Sequence, residues 1–316
     1  MTPFPNPQEI LPLNTVRDLW RWSITILQRS GVFFGHGYPT PQEEARHLLL
    51  FSLSLPRDQD PTLWLDARLL PHEREEFLEL LKRRIVERIP VPYLTREAWL
   101  GPHRFYCDER VLIPRSFIAE ALEETLVFLI EDFHALQRVA DVCTGGGSLA
   151  ILLALHCPEA RVDAVDISPD ALAVARLNCA EYGLSEQIHL FEGDLLEPLE
   201  EGVYDLIISN PPYVDQAAME NLPAEYRREP VTALASGLDG LDHVRRILAT
   251  AHRHLSPEGW LVVEVGHQAN ELEAAFPNLP FIWLELSAGD RFVFALPYAA
   301  LESWDCAVPA PLSLPE

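Results

Sequence analysis

Asn210-Pro211-Pro212-Tyr213 follows directly on the apolar run Asp205-Leu206-Ile207-Ile208-Ser209. Consecutive prolines lack N–H donors and fix their φ angles, so the backbone here is stiff and the carbonyls of Asn210 and Pro211 can face a ligand. A planar NH₂ group lying against Tyr213 can then donate one hydrogen bond to the Asn210 side-chain oxygen and one to the Pro211 carbonyl. Such a clamp suits chemistry on an amide or exocyclic amine nitrogen. An Asn-Pro turn also ends many strands without function, so its surroundings decide its meaning.

Upstream, Val139-Ala140-Asp141-Val142 leads into Cys143-Thr144-Gly145-Gly146-Gly147 and then an apolar helix beginning at Ser148. A strand, a glycine turn and a helix put the turn at the carboxyl edge of a sheet, where open α/β folds bind ligands. The next acid at a strand end, Asp166, lies 25 residues after Asp141 with Ile167 beside it, and can accept both ribose hydroxyls of a nucleoside. Gly193-Asp194-Leu195 ends a third strand and is placed to meet the base. The turn lacks the G-x-G-x-x-G spacing that seats a pyrophosphate, which favours S-adenosylmethionine over a dinucleotide. With an activated methyl at hand, the chain has only to bring a nitrogen into line in a dry pocket. Polarising the N–H bonds toward two acceptors returns electron density to an amide nitrogen as the transition state forms, and no base is required.

Elements to position these residues are legible around them. Apolar residues from Asn14 to Gln28 recur at helical spacing and Gly31 supplies a stop. Thr40-Pro41-Gln42-Glu43 reads as a capping box opening a second helix, and a third is expected from Pro71 to Ile89. Between Pro90 and Arg115 the period changes to that of a hairpin. Strand-like runs then follow at 138–142, 161–165, 188–191, 204–209, 260–265, 281–286 and 291–296, the first five alternating with helices and the last two joined by a short turn. The expected fold is α/β, a class I (Rossmann-like) seven-stranded methyltransferase sheet. The expected plan is a helical substrate-recognition domain at 1–90, a linking β-hairpin at 91–115, the catalytic domain at 116–300 and a proline-rich tail at 301–316.

Composition narrows the partners. The 316 residues carry 48 acidic against 24 basic side chains, a net −24 that repels free nucleic acid and attracts basic proteins. No apolar run is long enough to cross a bilayer. The start MTPFPNPQEI has no signal-peptide pattern, so a cytoplasmic location is expected. Five scattered cysteines with no C-x-x-C pair suggest neither a disulfide framework nor a metal site.

With D-V-C-T-G-G-G-S-L-A at the glycine turn, V-L-I-P-R before the sheet and N-P-P-Y-V at the acceptor turn, the whole chain resembles the HemK-like protein-glutamine N5-methyltransferases. One branch of that family modifies the Gly-Gly-Gln loop of release factors, the other a glutamine of large-subunit ribosomal protein number three. Gly31–Tyr38 (G-V-F-F-G-H-G-Y), Glu87–Thr95 (E-R-I-P-V-P-Y-L-T) and Asn221–Pro230 (N-L-P-A-E-Y-R-R-E-P) resemble the ribosomal-protein branch. The resemblance implies cofactor contacts from Cys143 to Gly147, at Asp166 and at Leu195 after Asp194, and Asp141, Ile167 and Asn210 are expected to contact the cofactor with them. It implies acceptor contacts at Asn210, Pro211, Pro212 and Tyr213, and Arg115 as a residue that orders the cleft. A serine or threonine is usual at Gly146 and an aromatic residue at Leu195. The rival readings are methylation of a nucleobase amine, which the charge opposes, and a non-catalytic adenosylmethionine-binding protein, which has no use for an amide clamp.

Overall fold

The computed structural model describes residues 4, 10–57, 60–287, 289 and 291–304, and the chain divides into two compact units. The expected C-terminal tail lies outside the described residues beyond Trp304. The first unit comprises Met1–Ala98 together with Pro223–Arg228. Its helices are α1 (Val16–Ser30), α2 (Pro41–Ser52), α3 (Pro71–Val86) and α4 (Val91–Thr95). Thr15 and Asp18 form a reciprocal capping box on α1, and Gly31 ends it with φ 67°. Thr40 caps α2 as expected, but Glu43 accepts from the Thr40 hydroxyl rather than completing a box on its N–H. The third helix stops three residues short of Ile89, because Arg88 turns left-handed at φ 57°. Leu19, Leu27, Leu48, Phe77 and Leu81, all buried, form the core of this bundle.

One charged cluster lies inside it. Arg84, only 2% exposed, donates to Glu44, to the Phe33 carbonyl at 2.7 Å and to Glu225 at 3.0 Å. Glu225 also accepts from Arg88 at 3.0 Å and from the Phe33 N–H at 3.1 Å. The Tyr226 ring lies 4.3 Å from that of His36, tilted by 42°. Thus three segments distant in sequence, those bearing Phe33, Arg88 and Glu225, meet at one carboxylate.

The chain leaves the first unit within a hairpin of β1 (Glu97–Leu100) and β2 (His103–Tyr106). This is shorter than the expected 91–115, since residues 91–95 are helical and Val111-Leu112-Ile113 are not strand. In the second unit come α5 (Phe117–Glu124), β3 (Arg138–Val142), α6 (Ser148–His156), β4 (Arg161–Asp166), α7 (Pro169–Glu181) and β5 (Ile188–Glu192). They are followed by β6 (Tyr204–Ser209), α8 (Gln216–Asn221), α9 (Asp242–His254), β7 (Leu255–Glu264), α10 (Ala269–Ala275), β8 (Ile282–Trp283), β9 (Val293–Pro297) and α11 (Tyr298–Glu302). The expected alternation fails at one place: among the described residues only turns join β5 to β6.

The seven strands lie in the order β5-β4-β3-β6-β7-β9-β8, parallel except for β9 against its neighbours. Apolar clusters cover both faces, as a largely parallel sheet requires. From β3 the chain winds outward through β4 to β5, then returns to place β6 on the other side of β3. That reversal opens a crevice at the carboxyl ends of β3 and β6. Val142 and Ser209, the last residues of those strands, are in register, so the glycine turn and the Asn210 turn emerge side by side.

Candidate active site

Three N–H groups of the glycine turn are already engaged. Thr144 N–H donates to the Val165 carbonyl, Gly145 N–H to Asp166 Oδ2 and Gly147 N–H to the Thr144 carbonyl, at 2.9, 2.8 and 2.9 Å. These amides are not available to cradle a phosphate, which fits the missing pyrophosphate signature. Gly147 sits at φ 80°, with a hypothetical Cβ 3.1 Å from that of Ala175 on α7, so this position needs glycine on both counts. At Gly146 a Cβ would meet only ordinary contacts at 3.5 Å and beyond, so this position has room for a small side chain.

A cleft of about 90 Å³, open to solvent, lies over this turn. Cys143, Gly145, Asp166, Ile167, Asp194, Leu195, Asn210 and Pro212 line it. Asp141, Thr144, Gly146, Gly147, Pro211 and Tyr213 do not. Asp141 is fully buried behind the turn, where its Oδ2 accepts from the Thr144 hydroxyl at 2.6 Å, so it shapes the turn rather than facing a ligand. Burial raises its carboxyl to about 7. Asp166 accepts from Gly145 N–H through one oxygen and from Ser168 N–H through the other, at 2.8 and 2.9 Å. Each oxygen keeps a lone pair for a hydroxyl donor. Burial pushes its carboxyl upward while these N–H groups oppose the shift.

One wall of the cleft is aliphatic. Leu195, at φ 53°, lines it together with Ile167 and Ala171, and Asp194 is held by Arg246 at 2.7 Å. Several lining residues were not anticipated: Arg110, Val111 and Leu112, then Pro230, Thr232, Ala233 and His243. Arg110 is committed to Asp108, and burial holds His243 below the usual histidine range with Ser236 Oγ 2.8 Å from its Nδ1. Asp166, Asp194, the apolar walls and the lack, among the described residues lining the cleft, of an uncommitted phosphate-binding cation suit an adenosine bearing a sulfonium rather than a phosphorylated nucleoside.

Asn210 donates through Nδ2 to the Arg115 carbonyl at 3.4 Å, which leaves its Oδ1 as the acceptor for a ligand. No hydrogen bond from the described residues reaches the Pro211 carbonyl. Arg115 in turn donates to Glu229 at 2.8 Å, and Ile113 N–H donates to the same oxygen at 3.1 Å. Tyr213 donates its hydroxyl to Glu264 at 3.1 Å. Glu229 belongs to a segment singled out by resemblance alone, and Glu264 was missed. Its signal was an acid closing the apolar run Trp260-Leu261-Val262-Val263.

Residues 114–279 match the family described as "Methyltransferase small domain", and residues 19–95 match "PrmC N-terminal domain". The chain is 52% identical to the ribosomal protein uL3 glutamine methyltransferase of Neisseria meningitidis serogroup B, over 90% of this chain and 93% of that one. Its identity to the protein so named from Bordetella pertussis is also 52%, over 90% and 95%. To that of Burkholderia pseudomallei it is 50%, over 90% and 95%. The chain therefore belongs to the HemK-like methyltransferases, in the branch of the ribosomal protein uL3 glutamine methyltransferases, and its methyl donor is S-adenosylmethionine.

Proposed function

We propose that the protein methylates the side-chain amide nitrogen of a glutamine in ribosomal protein uL3. The carrying observation is the orientation of Asn210, whose NH₂ is held by Arg115 so that its oxygen is presented beside the cofactor cleft. Asp166 and the glycine turn would hold the cofactor's ribose and tail, with Leu195 and Ile167 against the adenine. When bound, the cofactor supplies a methyl group already activated by its sulfonium. The chain's own part is placement: Asn210 Oδ1 and the Pro211 carbonyl accept the two amide protons, and Tyr213 limits the plane of the substrate group. Both acceptors draw the N–H bonds and return density to nitrogen, and the surplus proton passes to water after transfer. The same pair rejects a glutamate carboxylate, because oxygen would face oxygen. Sites built around a particular N–H discriminate by roughly 10⁴–10⁵.

The helical unit is the part we assign to recognising the protein substrate, with the Phe33–Arg88–Glu225 cluster as its scaffold. All three segments read as marks of the uL3 branch converge there. The substrate is a basic protein taken before it joins RNA, in the cytoplasm. Incubation with labelled cofactor and, side by side, uL3, release factor, ribosomal RNA and DNA tests the proposal. Label on a uL3 glutamine is expected; label on nucleic acid or on release factor alone contradicts it. Asn210→Ala should lower kcat roughly 10²–10³-fold, as removal of one preorganised polar group does elsewhere, with cofactor affinity nearly unchanged.

A further inference from the structure

Glu264 is 1% exposed at the end of β7, directly after Val262 and Val263, where a charge is costly unless donors surround it. It has them on both oxygens. Oε2 accepts from the Ser116 hydroxyl at 2.7 Å and from Phe117 N–H at 2.9 Å, while Oε1 accepts from the Tyr213 hydroxyl at 3.1 Å. The carboxylate thus touches the acceptor turn directly on one side. On the other it fixes the residues immediately after Arg115, whose carbonyl orients the Asn210 amide.

The packing around Tyr213 is equally specific. A Cβ at Gly266 would fall 2.6 Å from the Tyr213 ring, and one at Gly240 would fall 2.4 Å from the Tyr213 carbonyl. The ring is therefore seated against bare backbone, and the Glu264 bond selects where along that seat its hydroxyl stops. Asn210 has an analogous need: its amide is symmetric in shape, and only the Arg115 carbonyl decides which end faces the substrate.

We infer that Glu264 is the positioning residue of the acceptor site, setting the Tyr213 ring directly and the Asn210 amide through Ser116, Phe117 and the Arg115 carbonyl. It touches neither substrate nor cofactor in this scheme, and its role rests on the methyltransferase reading of Asn210 given above. A positioning role has a signature distinct from a charge role. Glu264→Gln keeps the reach: its oxygen serves Phe117 N–H and Ser116, and its NH₂ meets a Tyr213 hydroxyl that can turn to accept. Glu264→Asp keeps the charge but withdraws it by one methylene, so it cannot serve both sides.

The test compares kcat, cofactor Kd and the Tyr213 ring resonance, in protein carrying ¹³C-labelled tyrosine, for the wild type and both variants. The resonance is assigned with Tyr213→Phe. The expected result is a loss in kcat of less than about fivefold for Glu264→Gln and of tenfold to a hundredfold for Glu264→Asp. Cofactor Kd should stay within about threefold in both, and the Tyr213 resonance should be displaced mainly in the aspartate variant. The inference is overturned if aspartate is the more active, if both match wild type, or if cofactor binding falls in step with kcat. Wild-type protein that leaves uL3 unmethylated would remove the functional reading, while the resonance on resting protein would still decide the positioning.

Discussion

Asn210 and Asp141 both stand where a sheet strand meets its turn, yet one faces the cleft and the other is sealed behind it. For Asn210 the stiff Pro-Pro backbone made the outcome legible in the sequence, because prolines cannot turn N–H groups toward a neighbouring strand. For Asp141 it was not legible, since the direction of its side chain depends on the Thr144 hydroxyl folding back onto it. Burial there lifts the carboxyl from the ordinary 3.8 to about 7. Between those values the folded protein holds a proton that the unfolded chain releases, so this group's contribution to stability is complete below about pH 4. It is lost as pH rises through about 7. Asp141→Asn, a mimic of the protonated acid, should therefore gain on the wild type as pH increases from 4.5 to 7 and hold a constant difference above. Thermal unfolding of both proteins across that range checks it, and parallel curves would contradict it.

Elements were readable wherever period and caps agreed, as at Gly31 and Thr40, whereas the register of β3 beside β6 appears only in the folded sheet. Reading failed where tertiary partners decide. The Val111–Ile113 run looks like a strand, but its backbone is claimed by a carboxylate from far along the chain, with Ile113 N–H on Glu229. Glu229 therefore anchors Val111 and Leu112 on one wall of the cleft and leads into Pro230 and Thr232 on another. Its removal leaves a buried N–H unsatisfied, which costs about 1–3 kcal/mol. Glu229→Ala should weaken cofactor binding roughly tenfold, about 1.4 kcal/mol, as measured by titration calorimetry. Glu264 substitutions should leave that affinity nearly alone, so the two buried acids separate into one for the cofactor wall and one for the acceptor turn.

At the scale of the molecule, a net charge of −24 gives the protein a long-range attraction for a basic partner that a short peptide does not feel. Raising salt from ~0.1 to ~1 M shrinks the Debye length from about 10 to about 3 Å. Methylation of whole uL3 should slow steeply over that range while methylation of a neutral glutamine peptide should not, and equal responses would remove the electrostatic account. The convergence of Phe33, Arg88 and Glu225 was beyond sequence reading, because the three segments share no local pattern and meet only in the folded unit. The central claim is that Asn210 presents its oxygen to a glutamine amide of uL3. Mass spectrometry of uL3 after incubation with cofactor and either wild-type or Asn210→Ala protein tests it most directly. The account predicts a single methyl on one glutamine side-chain nitrogen with the wild type and almost none with the variant; a methyl on another residue type, or one retained with Asn210→Ala, would contradict it.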